Sequence, residues 1–258
     1  MENISTNFAL SVNQCLLEDL PSAFNLEISI NNDNLINKVI SQREIFIALD
    51  ISGSMSGDPI KHTKKSLKKF IKTMYQICLT DISLLIFNHE CEYKNFKNTS
   101  LDKINKYIDK IKVDGGTDFK KVLNCIKDHI KDKSNLIIIF FTDGKDGYKV
   151  YSIDEEKVAL INTYDIDKRS LLIKKTIDDL ANEIKAKTLS TEVHCIGFSE
   201  ESDSKVLTQI CKIGTMPGSY QHIENSELIN NAIDNITKMI FDNILSVEII
   251  SAEFEQEL

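Results

Sequence analysis

The sequence predicts an α/β fold, in which a doubly wound, mostly parallel sheet has helices on both faces and one antiparallel edge strand. The main observation is four short apolar segments separated by helical patterns: "EIFIAL" (44–49), "ISLLIF" (82–87), "LIIIFF" (136–141) and "EVHCIGF" (192–198). Three of them are too continuous to be buried on one face alone, which is typical of parallel strands between two layers of helices. Parallel strands need crossover connections, and the helical patterns supply them.

Each predicted helix has an apolar stripe at helical spacing, and most have a residue that favours a helix start. In the first, Asp58 precedes Pro59, a residue well suited to the first turn. The predicted helices begin at Asp58, after Asp118, near Ser170, at Asp203 or Ser204, and at Glu227. The segment "HECEYKNF" (89–96) predicts the antiparallel edge strand, which returns after a short turn.

The two ends of the chain lie outside this alternating series. "FNLEISI" (24–30) and "VEIISAEF" (247–254) alternate partly between apolar and polar residues, which predicts two strands that pair as a small antiparallel addition. We therefore divide the chain into an N-terminal extension that is partly β (1–42), a main domain (43–245) and a strand-like C-terminal tail (246–258).

Composition argues against two classes of partner. The net charge is −8 and the lysines are interspersed with acidic residues, so there is no basic stripe that would bind nucleic acid. No apolar run approaches the roughly 20 residues that a membrane-spanning helix needs. We expect neither nucleic-acid binding nor a membrane span.

The cysteines bear on the compartment. Six cysteines are scattered without CxxC spacing, which indicates reduced thiols and predicts a cytoplasmic protein. The alternative is a secreted or cell-surface protein from which a leader was removed. Three Asn-x-Ser/Thr sequons, at Asn3, Asn98 and Asn235, would matter in that case, although chance explains them in a chain so rich in asparagine.

Oxygen-bearing side chains occur in three segments at predicted strand ends or helix starts. "DISGSM" contains Asp50, Ser52 and Ser54, "DGGTDF" contains Thr117, and "FFTDGKDG" contains Asp143. Ligands of open α/β sheets bind beyond the carboxyl ends of the strands, so we expect these side chains at one edge of the sheet. Hydroxyl and carboxylate oxygens suit Mg²⁺ or Mn²⁺, whereas zinc prefers His and Cys ligands.

These three segments carry a resemblance to a known family. "DISGSM" resembles the DxSxS element of von Willebrand factor A domains, and "GGTD" and "FFTDG" match the family's other two elements in the same order. The similarity covers about residues 43–245. It implies a metal-ion-dependent adhesion site on a fold of the kind predicted above.

The resemblance also implies a role for each site residue. The implied roles are direct binding of the ion by Ser52 and Ser54, binding directly or through water by Thr117, and contacts mainly through water or hydrogen bonds by Asp50 and Asp143. Because neutral hydroxyls leave the ion electrophilic, an Asp or Glu of a partner protein can take its exchangeable position. We therefore expect a Mg²⁺- or Mn²⁺-dependent protein-binding module, an adhesion domain or adaptor, whose partner and oligomeric state the sequence does not identify.

Two other functions remain open. A metal-assisted phosphoester hydrolase would use a strand-end aspartate such as Asp50, but an aspartyl nucleophile is typically followed two positions later by a second acid, where this chain has Ser52. A serine-hydrolase elbow is not formed either, because "GSMSG" has Met55 at its centre. We therefore expect that the protein is not an enzyme. The other alternative is a scaffold of an ATPase or of ubiquitin-type machinery inside the cell.

A long connector, 144–170, leaves the predicted metal site and is a candidate specificity surface, because aromatic and arginine side chains dominate protein interfaces. An insertion without a binding role is the alternative. For the neighbouring carboxylates we expect a helix cap at Asp118 and a solvated loop residue at Asp146. The candidate contact residues of the connector are Tyr148, Tyr151, Tyr164 and Arg169.

Overall fold

The structure is a computed structural model. It describes residues 8–15, 23–30, 43–76, 81–144, 151–154, 157–160, 166–199 and 202–254. Side-chain surroundings are described for residues 43–76, 81–144, 171–199 and 202–242. The chain divides into two compact units, Ser41–Lys238, and Met1–Ile40 together with Met239–Leu258.

Ten strands are described. In chain order they are β1 (Phe8–Cys15), β2 (Ala23–Ile30), β3 (Arg43–Asp50), β4 (Asp81–Phe87), β5 (Cys91–Asn95), β6 (Ser134–Thr142), β7 (Tyr151–Asp154), β8 (Lys157–Leu160), β9 (Thr188–Phe198) and β10 (Ser219–Ile223). β1 and β2 form an antiparallel hairpin, with Phe8 opposite Ile30. β7 and β8 form a second one, with Tyr151 opposite Leu160.

The described α-helices number six. They are α1 (Asp58–Gln76), α2 (Leu101–Lys110), α3 (Phe119–His129), α4 (Ile166–Lys187), α5 (Ser204–Cys211) and α6 (Ile229–Phe254). Asp118 caps α3 by accepting a hydrogen bond from the backbone N–H of Lys121, and Asp203 caps α5 in the same way. Such caps satisfy donors that the first helical turn leaves unpaired. Both helix starts, and the capping role of Asp118, confirm the sequence prediction.

The larger unit is built on one six-stranded sheet in the order β10-β9-β6-β3-β4-β5. Neighbouring strands run parallel except β5, which is antiparallel to β4 at the edge. The predicted α/β fold, with a mostly parallel sheet and one antiparallel edge strand, is therefore confirmed. Because β3 lies between β4 and β6, the loops that follow these strands emerge side by side.

Successive residues of the central strands are buried on opposite faces of the sheet. Phe46 and Ala48 of β3 belong to a buried cluster that includes residues of α3, α4 and α5. Ile45 and Ile47 of the same strand are also fully buried, on the other face. Burial of both faces is the physical reason why these strands have continuous apolar sequences.

Five elements are absent from the sequence prediction: β1, β7, β8, α2 and β10. α2 buries Ile104 and Ile108, and β10 is an edge strand with one buried residue, Ile223. Because α2 and β10 have few buried apolar positions, they lack the periodic pattern by which the predicted elements are recognised.

The prediction of a strand at 247–254 is wrong, because α6 continues to Phe254. A helix that has already formed gains a hydrogen bond with each added residue without a new nucleation step, which overrides a short alternating pattern. The predicted strand at 24–30 is confirmed as β2, but its partner is β1. Among the described residues, no helix is both long enough and apolar enough to cross a membrane.

Candidate metal centre

Asp50 is the last residue of β3 and its side chain is completely buried. The backbone N–H of Ser52 donates a hydrogen bond to Asp50 Oδ1 at 2.8 Å. The hydroxyl of Thr142, which ends the neighbouring strand β6, donates to Asp50 Oδ2 at 2.6 Å. Each carboxylate oxygen is thereby fixed in direction and keeps a further lone pair for another contact.

The chain turns just beyond Asp50, in a single 3₁₀ turn at Gly53–Met55 that buried Met55 anchors in the core. The hydroxyl oxygens of Ser52 and Ser54 lie 3.0 Å apart. Ser54 Oγ donates a hydrogen bond to Asp143 Oδ1 at 2.9 Å. Because Ser52 is almost fully buried and Ser54 is exposed, this oxygen cluster reaches solvent at Ser54.

The loop that carries Thr117 is held against the first loop by the backbone. The N–H of Gly53 donates to the carbonyl of Gly115 at 2.9 Å. Gly115 has φ +74°, which other residues rarely adopt, and a Cβ there would lie 2.3 Å from His89 Nδ1. Glycine at position 115 therefore allows both the positive φ of this loop and the close approach of His89.

Gly144, just after β6, marks the point at which three loops converge. A Cβ at this position would lie 2.9 Å from Thr117 Oγ1, 3.7 Å from Asp50 Oδ2 and 3.8 Å from Ser54 Oγ. The missing side chain leaves a small cradle lined by oxygens of two loops, and Asp143, next to Gly144 in the third loop, is hydrogen-bonded to Ser54. The structure thus brings together the five predicted residues, Asp50, Ser52, Ser54, Thr117 and Asp143.

Burial controls the charge of the two carboxyl groups. Desolvation raises the pKa of Asp50, and hydrogen bonds from Thr142 and Ser52 offset part of this increase. The pKa of Asp143 is raised to about 6, mainly by desolvation. The charge of Asp50 also raises this pKa, whereas the hydrogen bond from Ser54 lowers it. Two desolvated carboxylates repel each other, so a cation near both would be favourable.

The donor atoms fit a small, hard cation. The cluster combines two carboxylates with three hydroxyls, and such oxygen donors are the ligands that Mg²⁺ and Mn²⁺ prefer. Within the part of the chain that the structure describes, no group of three or more His, Cys, Asp or Glu side chains is placed to hold a metal. A divalent cation in the cradle would also neutralise the two negative charges.

Two supporting residues were not identified from the sequence, Thr142 and Ser199. Thr142 holds Asp50 as described above, and the Ser199 hydroxyl donates a hydrogen bond to the backbone carbonyl of Asp143 at 2.7 Å. Thr142 ends β6 and Ser199 follows β9. The rule that places functional groups at the carboxyl ends of parallel strands could have found both residues.

Asn88 is a third supporting residue, located just after β4. Its side-chain Nδ2 donates a hydrogen bond to the carbonyl of Asp114 at 2.9 Å. Its own carbonyl accepts a hydrogen bond from the N–H of Asp118 at 2.8 Å. These two contacts hold the loop on either side of Thr117, and the position of Asn88 at a strand end was again the available signal.

The predicted specificity surface lies outside what the structure describes. Tyr148 and Tyr164 are not among the described residues, and neither is Asp146. Tyr151 and Arg169 are described by their backbone alone, within β7 and α4. The role of the connector therefore stays a prediction.

Comparison with known families and sequences gives two results. The model of the von Willebrand factor type A domain matches residues 44–238. Two von Willebrand factor A domain-containing proteins of Dictyostelium discoideum are each 24% identical to this chain over 225 residues. The alignments cover 83% of this chain but 21% and 23% of those proteins, so the chain spans about a fifth of their length.

Similar solved structures include bacterial proteins with the same fold. The pilus adhesin SpaC from Lactobacillus rhamnosus GG, in its open conformation, has a TM-score of 0.60 and 14% identity over 92% of this chain and 34% of that chain. The PilB minor pilin from Streptococcus sanguinis has a TM-score of 0.58 and 16% identity over 93% of this chain and 79% of that chain. A von Willebrand factor type A protein from Catenulispora acidiphila has a TM-score of 0.57 and 16% identity over 92% of this chain and 51% of that chain. At such identities the similarity concerns the fold.

Proposed function

Because the chain belongs to the von Willebrand factor type A domain family, we propose that it is a divalent-metal-dependent protein-binding module. The cation is Mg²⁺ or Mn²⁺, and the ligand that it receives is an Asp or Glu side chain of a partner protein. The observation that carries this proposal is the cradle at Gly144, where oxygens of Asp50, Ser54 and Thr117 surround the space of one absent side chain. The residues that would hold the cation are Asp50, Ser52, Ser54, Thr117 and Asp143.

The side chains of the site divide into two groups by charge. Ser52, Ser54 and Thr117 offer neutral hydroxyl oxygens, which themselves compensate none of the cation's charge. Asp50 and Asp143 add negative charge and are held in place by hydrogen bonds from Thr142 and Ser54. Bound there, the cation would supply an electrophilic coordination position to an incoming carboxylate. Exposure of Ser54 gives that carboxylate access from solvent.

We propose binding rather than catalysis at this site. An aspartyl nucleophile for phosphoester hydrolysis is typically accompanied by an acid two positions further on. In this chain that position is Ser52, whose hydroxyl lies 3.0 Å from the hydroxyl of Ser54. A turnover assay with generic phosphoesters and Mg²⁺ or Mn²⁺ tests this part of the proposal. Turnover by the wild-type protein that is absent in Asp50→Ala would contradict it.

We also propose that the protein resides in a reducing compartment such as the cytoplasm. This proposal is supported by the cysteines, because the four whose surroundings are described are free thiols. Cys195 and Cys211 are buried, and Cys91 and Cys125 are half-buried. Fractionation of cells that express the tagged full-length protein would test it, and recovery of the protein in the medium would contradict it.

The central experiment measures partner capture with and without the metal. We expect the wild-type protein to retain a partner in Mg²⁺ and to release it when EDTA is added. Ser54→Ala should lose this retention, whereas Ser56→Ala, which changes an exposed serine of the same segment, should not. Retention that persists in EDTA and also in Ser54→Ala and Asp50→Ala would disprove the proposal.

A further inference from the structure

A pair of cysteines lies outside the metal centre. Cys91 begins the edge strand β5, and Cys125 lies in α3. Both side chains are half-buried and pack against the same core cluster. Tyr93, two residues after Cys91 on the same face of β5, stacks on His129, one turn after Cys125 in α3, so the two thiols face each other and interact.

His129 lies on the other side of Cys125, one helical turn further along α3. Its Nδ1 is 2.8 Å from the backbone carbonyl of Cys125 and 4.0 Å from the Cys125 sulfur. Because a carbonyl can only accept, Nδ1 is the ring nitrogen that carries the proton in this contact. The ring is held in this orientation by stacking on Tyr93, with centroids 3.7 Å apart.

We propose that Cys91 and Cys125 are a modification site at which a hydroperoxide produces a reversible disulfide. Cys125 attacks the terminal oxygen of the peroxide, the O–O bond breaks, and an alcohol leaves after it takes a proton. The Cys91 sulfur then attacks the sulfenic acid of Cys125, and the hydroxide that leaves takes the Cys91 proton to form water. In total, two thiols and one hydroperoxide give a disulfide, an alcohol and water.

The neighbouring His129, whose Nδ1 lies 4.0 Å from the Cys125 sulfur, assigns the first step to Cys125. The hydrogen bond from Cys91 lowers the pKa of Cys125 to about 7; burial opposes this, His129 assists it and Asp128 opposes it. The same hydrogen bond, together with burial and the charge of Glu92, raises the pKa of Cys91. A thiol whose pKa is lowered ionises more readily near pH 7 than an ordinary cysteine does.

The chain contains a second cysteine pair that is a natural control. Cys195 and Cys211 also interact with each other, but both are buried, and desolvation raises the pKa of Cys195 well above its ordinary value. The Cys211 thiol is engaged with the carbonyl of Ser219 at 3.1 Å. Thiols of this kind react slowly because they are protonated and shielded from the oxidant.

The test uses the full-length reduced protein in EDTA, so that it does not depend on the metal centre. Hydrogen peroxide is added at pH 7, free thiols are alkylated, and the digest is analysed by mass spectrometry without reduction. We expect a linked peptide pair containing Cys91 and Cys125 that dithiothreitol separates. Loss of the free Cys125 thiol should be at least about tenfold faster than loss of Cys195.

Two variants separate the steps. In Cys91→Ser, whose hydroxyl can still donate to the Cys125 sulfur, dimedone should trap a sulfenic acid on Cys125 and no disulfide should form. In Cys125→Ser, Cys91 should remain a free thiol. The proposal is wrong if wild-type Cys91 and Cys125 both stay free, if Cys125 pairs with another cysteine, or if Cys195 and Cys211 are oxidised at the same rate.

Discussion

Ser54 and Asp143 are separated by 89 positions in the sequence, yet the Ser54 hydroxyl donates a hydrogen bond to Asp143 Oδ1 at 2.9 Å. Ser54 lies in the turn that follows β3, and Asp143 follows β6, the parallel neighbour of β3. The contact completes the oxygen cluster on its solvent side, because Ser54 is the exposed member. Three predictions concern this arrangement, and a fourth concerns Asp81 at the other end of β4.

Ser54→Ala should weaken Mg²⁺ binding by about 10- to 100-fold, since it removes one oxygen donor and frees Asp143 to move. The fold should be unchanged because the side chain is exposed. Isothermal titration calorimetry of metal-free protein measures the affinity. Ser56→Ala is the matched control, and equal loss of affinity in both variants would show that Ser54 has no specific role.

Gly144→Ala should block the cradle, because its Cβ would lie 2.9 Å from Thr117 Oγ1. We expect Mg²⁺ affinity to fall at least about tenfold. Gly116→Ala is the control, since a Cβ there meets nothing within 4 Å. The same titration compares the two variants, and a Gly144→Ala protein that binds Mg²⁺ as well as Gly116→Ala does would refute the convergence of the loops at this point.

Thr142→Val keeps the shape of the side chain but removes the hydrogen bond to Asp50 Oδ2 and the acceptor for the Gly144 N–H. The free energy of unfolding should fall by about 1.5–3 kcal/mol, because a buried charged acceptor loses its donor. Urea denaturation of metal-free protein measures this loss. Mg²⁺ affinity should fall together with stability.

Thr176→Val is the control for that substitution. Thr176 is also buried, but its hydroxyl bonds to the carbonyl of Leu172 within α4, away from the metal centre. Its loss of stability should be smaller, and its Mg²⁺ affinity should equal that of the wild type. An equal effect of both substitutions on Mg²⁺ affinity would mean that Thr142 does not position Asp50.

Asp81→Asn should make the protein less stable at neutral pH but not in acid. Burial alone would raise the pKa of Asp81, but hydrogen bonds from Asn95 and Lys97 and the charge of Lys131 lower it below the ordinary value. A lowered carboxyl pKa stabilises the fold above the pKa of the unfolded chain, and this stabilisation disappears as the pH falls through the pKa of the folded protein.

The expected difference at pH 7 is on the order of 1 kcal/mol, since Lys97 is 61% exposed and solvent screens its charge. The difference should begin to shrink below about pH 4, where the unfolded chain is protonated. Urea denaturation across about pH 3–7 measures this difference in the free energy of unfolding as a function of pH. Asp102→Asn, at an exposed position of α2, should show no such profile, and a constant difference for Asp81→Asn would contradict the assignment.

Local patterns predict much of this fold. Continuous apolar segments identify β3, β4, β6 and β9, because burial on both faces excludes polar residues from their length. Capping residues identify the starts of α3 and α5. α2 and β10 escape prediction because they bury few residues, and the end of α6 is mistaken for a strand because helix propagation outweighs a short alternation.

The five oxygen-bearing residues of the candidate site could also be identified in advance, since each lies near a predicted strand end or helix start. Their supports were not identified, although each of them also lies at a strand end, because their contacts are not visible in the sequence. Thr142, Asn88 and Ser199 act through hydrogen bonds to residues in other loops. Those contacts exist because β3 lies between β6 and β4 in the sheet. No local segment of the sequence indicates this strand order.

The sequence by itself determined which central strands are buried on both faces, where those strands end, and which short segments carry hydroxyl and carboxylate oxygens, because these properties depend on near neighbours in the chain. Only the tertiary structure decided that Gly144 lies where three loops meet, that Ser54 contacts Asp143, and that Cys91 faces Cys125. The physical reason is that crossover helices set the order of parallel strands through packing of whole faces, so the partners of a side chain at a strand end are fixed by elements far away in sequence.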